Sequence, residues 1–498
     1  MVISLRKRTV VQVPIKRVLM LVTIVGVAGI TGKLLVTSPG TIRLIIATAL
    51  VVFLLGLSVR KPTMTMYFLM LYLPALGFIR RWLIPVAGWG TFDPLVIVAP
   101  IVICIIGSYW LYNRFVKREF PLPETKLFHL VRILLLVDVL EVVNPHQGGL
   151  FAGIGGVMFY VVPLFWMVLS KQHLTERWMK VALWTVAVVG VLSALYGLKQ
   201  TFYGFYPFEQ TWIQLSGYAA LIVGKHSRAF STFTSAAEYA QYLVIAIAVL
   251  WAVLLKGNML AKICAAPALG LVAYALFLES SRSPIVTGML GIAVMSIAVV
   301  KKVSTRITVA LLAVIGIVGL YIALGHMASS SNALVSHQVS GLTHPFNKKD
   351  STASMHVSML FSGLKRAVTN PIGSGLGATT LAAGKLGSGS GAANSEIDLG
   401  NMCISDGLIG GITYLLIMAR VIVLAIALNR QKQFVPVAIL GVLIVTLGQW
   451  SNGGDYSTCA FVWLCIGYLD KATQTLPLNQ RALSKHGFLR AFRLGGET

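Results

Sequence analysis

Residues 307–337 read ITVALLAVIGIVGLYIALGHMASSSNALVSH: an uncharged apolar run that stops at Gly325 and gives way at once to serine, asparagine and histidine. The run is long enough to cross a hydrocarbon core of roughly 30 Å as a helix. The stretch after it, from Gly325 to about Cys403, is the longest polar interval in the chain. Everywhere else, apolar runs alternate with short connections, near 18–36, 42–58, 63–79, 94–113, 127–143, 153–170, 181–198, 237–255, 262–279, 285–300, 307–325, 404–428, 434–449 and 457–469. The runs are continuous rather than alternating, which favours helices over a membrane barrel. The pattern therefore predicts an all-α polytopic membrane protein with about 14 transmembrane helices and one long external loop that contains short helices.

Composition agrees. Of 498 residues 56% are hydrophobic and 11% charged, and the mean hydropathy is +0.80, outside the range of soluble globular domains. The formal net charge of +25 raises the question of nucleic acid. Its distribution answers it, because the basic residues sit in short clusters between apolar runs and form no continuous stripe. With a cytoplasmic N-terminus, 26 of the 41 lysines and arginines fall on the cytoplasmic side, 11 outside and 4 within runs. That asymmetry predicts both termini inside and the long loop outside. The expected organisation is a basic cytoplasmic tail over 1–17 and helices 1–11 over 18–325, with an external segment at 199–237. The large external loop comes next over 326–403, then helices 12–14 over 404–469 and a second cytoplasmic tail over 470–498. MVISLRKRTVVQVPIKR at the start has no convincing cleavage site and reads as a retained tail before a signal anchor. The five cysteines show no metal-ligand spacing and read as small buried hydrophobes.

Charges at the outer ends of apolar runs are costly and therefore informative. Arg228 lies in HSRAFSTFTSAAEYAQYL, just before a run, and Arg282 in ESSRSP, between two runs with almost no loop. Two planar, permanently charged guanidiniums directed into one external cavity would suit a diphosphate; ordinary interfacial arginines are the plainer alternative. Lys225 is a further candidate contact for the same anion. Asp138 and Glu141, three residues apart in LFHLVRILLLVDVLEVV, share a helix face. Either Asp138 pairs with an arginine of another run or it handles a proton.

Inside the loop, 352–368 reads as an amphipathic helix with Met355, Val357, Leu360 and Leu364 toward one side and His356 elsewhere. It ends at Asn370-Pro371. The glycines of GSGLG then either cradle phosphate or let the backbone approach a helix closely. Arg366 and Asn394 are candidate substrate contacts, and Glu396 or Asp398 a candidate general base, with helix N-capping the plainer role. No nucleotide-binding loop, dinucleotide fingerprint or zinc-protease motif occurs. The aromatic run TFYGFYPFEQTW (201–212) suits an interfacial belt or a contact with lipid or sugar.

Four stretches together resemble the O-antigen polymerase and O-antigen ligase superfamily of bacterial envelope proteins: RAFSTFTSAAEYAQYL (228–243), ESSRSPIVTGMLGIAV (279–294), HVSMLFSGLKRAVTNPIGSGLG (356–377) and NSEIDLGNMCISDGLIGGITYL (394–415). The resemblance covers roughly residues 150–465. It implies a GT-C type glycosyltransferase that takes a glycan from an undecaprenyl-diphosphate carrier and passes it to an acceptor hydroxyl. It also implies that Arg228 and Arg282 hold the diphosphate, so that no metal or other cofactor is expected. Ligases of the family carry a His-Asn pair before the re-entering helix, where this chain reads Asn394-Ser395-Glu396-Ile397-Asp398; that departure favours a polymerase. Where the family's loop helix often begins with arginine, this chain has His356, a candidate substrate contact that either takes the arginine's place toward the anion or is unrelated to it. The alternatives are an O-antigen ligase, a protein O-oligosaccharyltransferase or, as a non-enzyme, a lipid-linked oligosaccharide flippase. The expected partners are the lipid-linked oligosaccharide, membrane lipids and a chain-length regulator, in the inner membrane of a bacterial cell.

Overall fold

The structure is a computed structural model and describes residues 41–90, 93–118, 124–216, 222–223, 226–326, 333–345, 347, 353–380, 384, 397–451 and 455–475. The expected apolar run at 18–36, the first tail, and the second tail beyond residue 475 lie outside the described residues.

In chain order the helices are α1 (Thr41–Arg60), α2 (Pro62–Trp82), α3 (Val98–Phe115), α4 (Lys126–Glu141), α5 (Leu150–His173), α6 (Glu176–Tyr203), α7 (Pro207–Ser216), α8 (Ala236–Lys256), α9 (Met259–Glu279), α10 (Arg282–Val299), α11 (Val303–His326), α12 (Ala333–Thr343), α13 (Ala353–Thr369), α14 (Asp398–Ser405), α15 (Gly407–Asn429), α16 (Phe434–Val445) and α17 (Tyr456–Ala472). Their starts follow from capping chemistry. Thr125, Thr175, Ser235 and Asn258 each turn a side-chain oxygen onto the backbone N–H three residues on, satisfying a donor that the helix leaves open. One two-stranded antiparallel ribbon, β1 (Ile222–Val223) with β2 (His226–Ser227), pairs Val223 with His226.

Among the described residues ten helices are long and apolar enough to cross a membrane: α1, α2, α3 with its leading turn from Pro94, α5, α6, α8, α9, α10, α11 and α15. The protein is a helical polytopic membrane protein. α4, α16 and α17 overlap three further expected runs but are shorter, at 16, 12 and 17 residues. Hydropathy carries one of these runs on to 449. Its helix stops at Val445, because the chain then turns through Gly448 with a left-handed φ of 87°.

α5 and α8 form the centre, each with 83% of its apolar window inside the protein, whereas α11 has only 6% and turns its side chains outward. α5 packs along α17, and α6, α9, α10 and α16 surround α8. Trp166 of α5 and Trp463 of α17 are fully buried, with Trp450 from the connection before α17.

The described part of the polar interval contains helices of its own. α12 lies over the corner between α9 and α10, while α13 packs on α14 and α15. The apolar Met355 and Val357 of α13 are exposed, and its buried positions are Gly363 and Ala367. The small residues win because Gly363 meets the Gly400 backbone of α14, and a Cβ there would come within 2.8 Å of it. After α13 the chain from Asn370 to Gly377 wedges between the α4–α5 connection and the break between α14 and α15. Gly373 and Gly375 have φ of 109° and 99°, and a Cβ at Gly377 would overlap the Ala152 carbonyl. Each backbone donor from Ser374 to Gly377 has a partner. Ser374 N–H donates to Ile404 O (2.9 Å), Gly375 to Ser405 O (3.1 Å), Leu376 to Glu141 O (3.1 Å) and Gly377 to the Gln147 side chain (2.8 Å). Close approach, rather than a phosphate cradle, accounts for these glycines.

At the opposite end of the bundle Lys171 Nζ lies 2.6 Å from Asp470 Oδ2, which also accepts from the Thr125 hydroxyl at 2.7 Å. Both charged side chains are buried. Removing one partner leaves the other charge uncompensated, which costs about 3–5 kcal/mol. Lys171→Met should therefore lower the thermal unfolding temperature strongly, while Lys171→Met with Asp470→Leu should recover most of the loss. Additive losses in the double variant would refute a mutually compensated pair.

Candidate functional site

The strap from Arg228 to Ser235 connects β2 to α8 and is held from below by buried polar groups. Arg81 of α2, 1% exposed, donates to Phe233 O and Ser231 O, each at 2.7 Å, and stacks on Phe230 and Trp212. Gln200 of α6 accepts from the N–H groups of Phe230 (3.1 Å) and Ser231 (2.7 Å). Gly77 of α2 has no side chain because the Phe233 carbonyl occupies that space. Arg81, an outside charge by sequence, is thus part of the scaffold that fixes Arg228.

Arg228 and Arg282 are 54 positions apart in the chain, and the α9–α10 corner brings them together. α9 ends at Glu279, Ser280 takes a left-handed φ of 71°, and α10 starts at Arg282. The Arg228 fork grips this corner: Nε donates to Glu279 O (3.0 Å), and Nη2 donates to Glu279 Oε1 (2.6 Å) and to the Ser281 hydroxyl. The Glu279 side chain is fully buried, while 13% of the Arg228 side chain remains exposed. Arg282 reaches the other way, to α12. Its Nη2 lies 2.9 Å from His337 Nε2 and donates to His337 O at 2.9 Å. Gly341, one turn on, leaves space for the guanidinium, since a Cβ there would overlap it. Gln338 donates to Ser281 O at 3.1 Å and closes the corner from above.

His337 stands where both arginine charges act on it. Burial first, then Arg282 and Arg228, hold its imidazole below the ordinary value of 6.5 and so keep it neutral. The cluster combines two guanidiniums, one buried carboxylate and one neutral imidazole. It can orient an anion and accept a proton beside it.

The other expected residues lie elsewhere. His356 and Arg366 sit in the first and last turns of α13, Arg366 exposed, and that helix packs on α14 and α15 rather than on the arginine corner. Asp398 opens α14 but does not cap it. Its buried carboxylate accepts from Tyr414 Oη (2.7 Å) and Ser451 N–H (2.9 Å), and burial pushes its pKa up to about 7. Lys225, Asn394 and Glu396 lie outside the described residues. Among the described residues Asp138 has no arginine partner; the charges that act on it and on Asp406 are acidic. His337, Glu279 and Gln338 were not singled out by sequence. Glu279 was legible as a lone acid at the end of an apolar run, whereas nothing local marks His337.

Among the described residues no group of three or more His, Cys, Asp or Glu side chains is arranged to hold a metal ion. No protein-family model matches the chain, and no curated protein matches it.

The depressed His337 pKa has a definite sign. The unfolded chain takes up the proton first, so the contribution to stability is complete above pH ~6.5 and is lost as pH falls through the folded value. His337→Gln should shrink the drop in unfolding temperature between about pH 7 and pH 5. Superimposable profiles for the two proteins would show that the imidazole is not held neutral.

Proposed function

We propose that the protein is a lipid-linked-glycan glycosyltransferase, a polysaccharide polymerase of O-antigen, capsule or exopolysaccharide. In this reading it joins undecaprenyl-diphosphate-linked repeat units at the outer face of a bacterial inner membrane, with both termini in the cytoplasm. One observation carries the reading: two arginines from distant parts of the chain meet at one corner of the bundle, under a helix of the long polar interval, with a neutral histidine bonded to one of them.

The chemistry follows from those groups. Arg282 and Arg228 neutralise the diphosphate of the donor as charge develops on its leaving oxygen, and Glu279 holds Arg228 in place for this. The acceptor sugar hydroxyl attacks the anomeric carbon in line, the bond to the diphosphate breaks, and the hydroxyl proton passes to a base. His337 is the base we favour, because it is neutral, bonded to Arg282 and within reach of the Arg228 charge. Asp398 has a suitably raised pKa, but its Oδ2 already accepts from two donors. Both phosphate charges meet guanidinium, so this scheme routes no step through a metal.

The test is to incubate purified protein with undecaprenyl-diphosphate-linked repeat units and separate the products by length. The expected result is a ladder, reduced about 10²–10³-fold by Arg282→Ala, the loss typical of one transition-state donor. In cells, Arg282→Ala should leave single repeat units reaching the surface. Units trapped inside would point to a flippase, and polymer that forms but stays unattached to a ligase or protein O-oligosaccharyltransferase.

A further inference from the structure

A second polar centre lies apart from the arginine corner, at the seam where the glycine wedge enters. Asp138 of α4 is fully buried, and Asp406, at the break between α14 and α15, is 1% exposed. None of their four carboxylate oxygens has a hydrogen-bond partner among the described residues. The charges that act on them are also acidic: Glu141 on Asp138, and Asp138 with Glu141 on Asp406. Glu141 is already engaged. It accepts from Asn144 Nδ2 at 2.6 Å, and its own carbonyl receives the Leu376 N–H. The remaining groups around the seam are Tyr160 of α5, Cys403 of α14 and exposed His146. None of these is a fixed cation.

Other buried acids of this protein have donors. Asp470 has Lys171, Glu279 has Arg228, Asp93 has Arg43 and Arg80, and Asp398 has Tyr414 and Ser451. Two buried carboxylates without any donor are too costly to stay charged alone. Protonation would remove the charge but still leave a hydroxyl and a carbonyl unpaired on each. A hard divalent cation answers both needs, because it takes oxygen ligands only and balances two negative charges. Such ions are commonly held by one or two carboxylates, with water completing the shell.

We propose that Asp138 and Asp406 bind one divalent, oxygen-seeking cation of the Mg²⁺ or Ca²⁺ class between α4 and the α14–α15 break. The ion ties together the two sides that grip the 370–377 wedge: Leu376 is bonded to Glu141 on one side and Gly375 to Ser405 on the other. Its role is to hold that seam, and it takes no part in chemistry at the arginine corner. The inference does not rest on the proposed transferase activity.

The experiment uses full-length protein in phosphatidylcholine nanodiscs, stripped with chelator. Thermal unfolding is followed during titration with MgCl₂ or CaCl₂, against NaCl at matched ionic strength. The wild type should show a saturable rise with one of the divalent ions. Asp138→Asn and Asp406→Asn should each weaken its affinity by more than the roughly tenfold that losing even an outer-shell partner costs. The double Asn variant should not respond, yet should unfold no lower than the stripped wild type, since its like charges are gone. Equilibrium dialysis of the wild type, which needs no variant, should find one bound ion. Failure to bind, or an equal response in the double variant, overturns the proposal. Stabilisation by acid with no response to divalent ions also overturns it, because the pair would then be a proton site.

Discussion

A backbone that leaves its helix inside an apolar bundle has no water to satisfy it, and the arrangement of this protein depends on how that is solved at residues 370–377. The wedge takes its partners from two directions at once: the ends of α14 on one side, and the α4 terminus with Gln147 on the other. It fits only because successive positions lack side chains where the neighbouring backbone comes closest. The break between α14 and α15 and the short α4 are therefore two faces of one joint. The polar interval of the chain becomes an inserted structural element rather than a cover.

Charge in the bundle follows the same economy of partners. Lys171 with Asp470, Arg43 with Asp93 and Arg228 with Glu279 are pairs made across long stretches of chain, and Arg81 is satisfied by two carbonyls and two aromatic rings. Each arrangement fixes a corner. Around Arg228 the consequence reaches the site, because the Glu279 that holds this guanidinium also ends α9 and so sets where Arg282 begins α10. The arginine corner is thus built from groups whose burial demands partners. The Asp138–Asp406 seam stands out against this background, since its acids have no such partners among the described residues.

Much was legible in the sequence. Helix class, the helix positions and the ends of α8, α9 and α10 follow from uncharged runs interrupted by Ser, Asn, Gly and Lys, a strong signal because lipid tolerates little else. Arg228 and Arg282 stood out for the same reason, as charges where charge is expensive. The buried side of α13 was not legible, because hydropathy ranks Met and Val above Gly. Packing against α14 instead rewards the side that lets two backbones touch.

By itself, then, the sequence determined a many-helix membrane protein, the approximate positions of its apolar helices, and the two arginines worth attention. Those properties depend on local composition and on neighbours one turn away. Only the tertiary structure decided that Arg228 grips Glu279, that His337 bonds to Arg282, that Asp398 is already bonded to Tyr414 and Ser451, and that the charges of Asp138 and Asp406 act on one another. Such pairings join residues tens to hundreds of positions apart, and no local periodicity encodes which helix ends will share a corner.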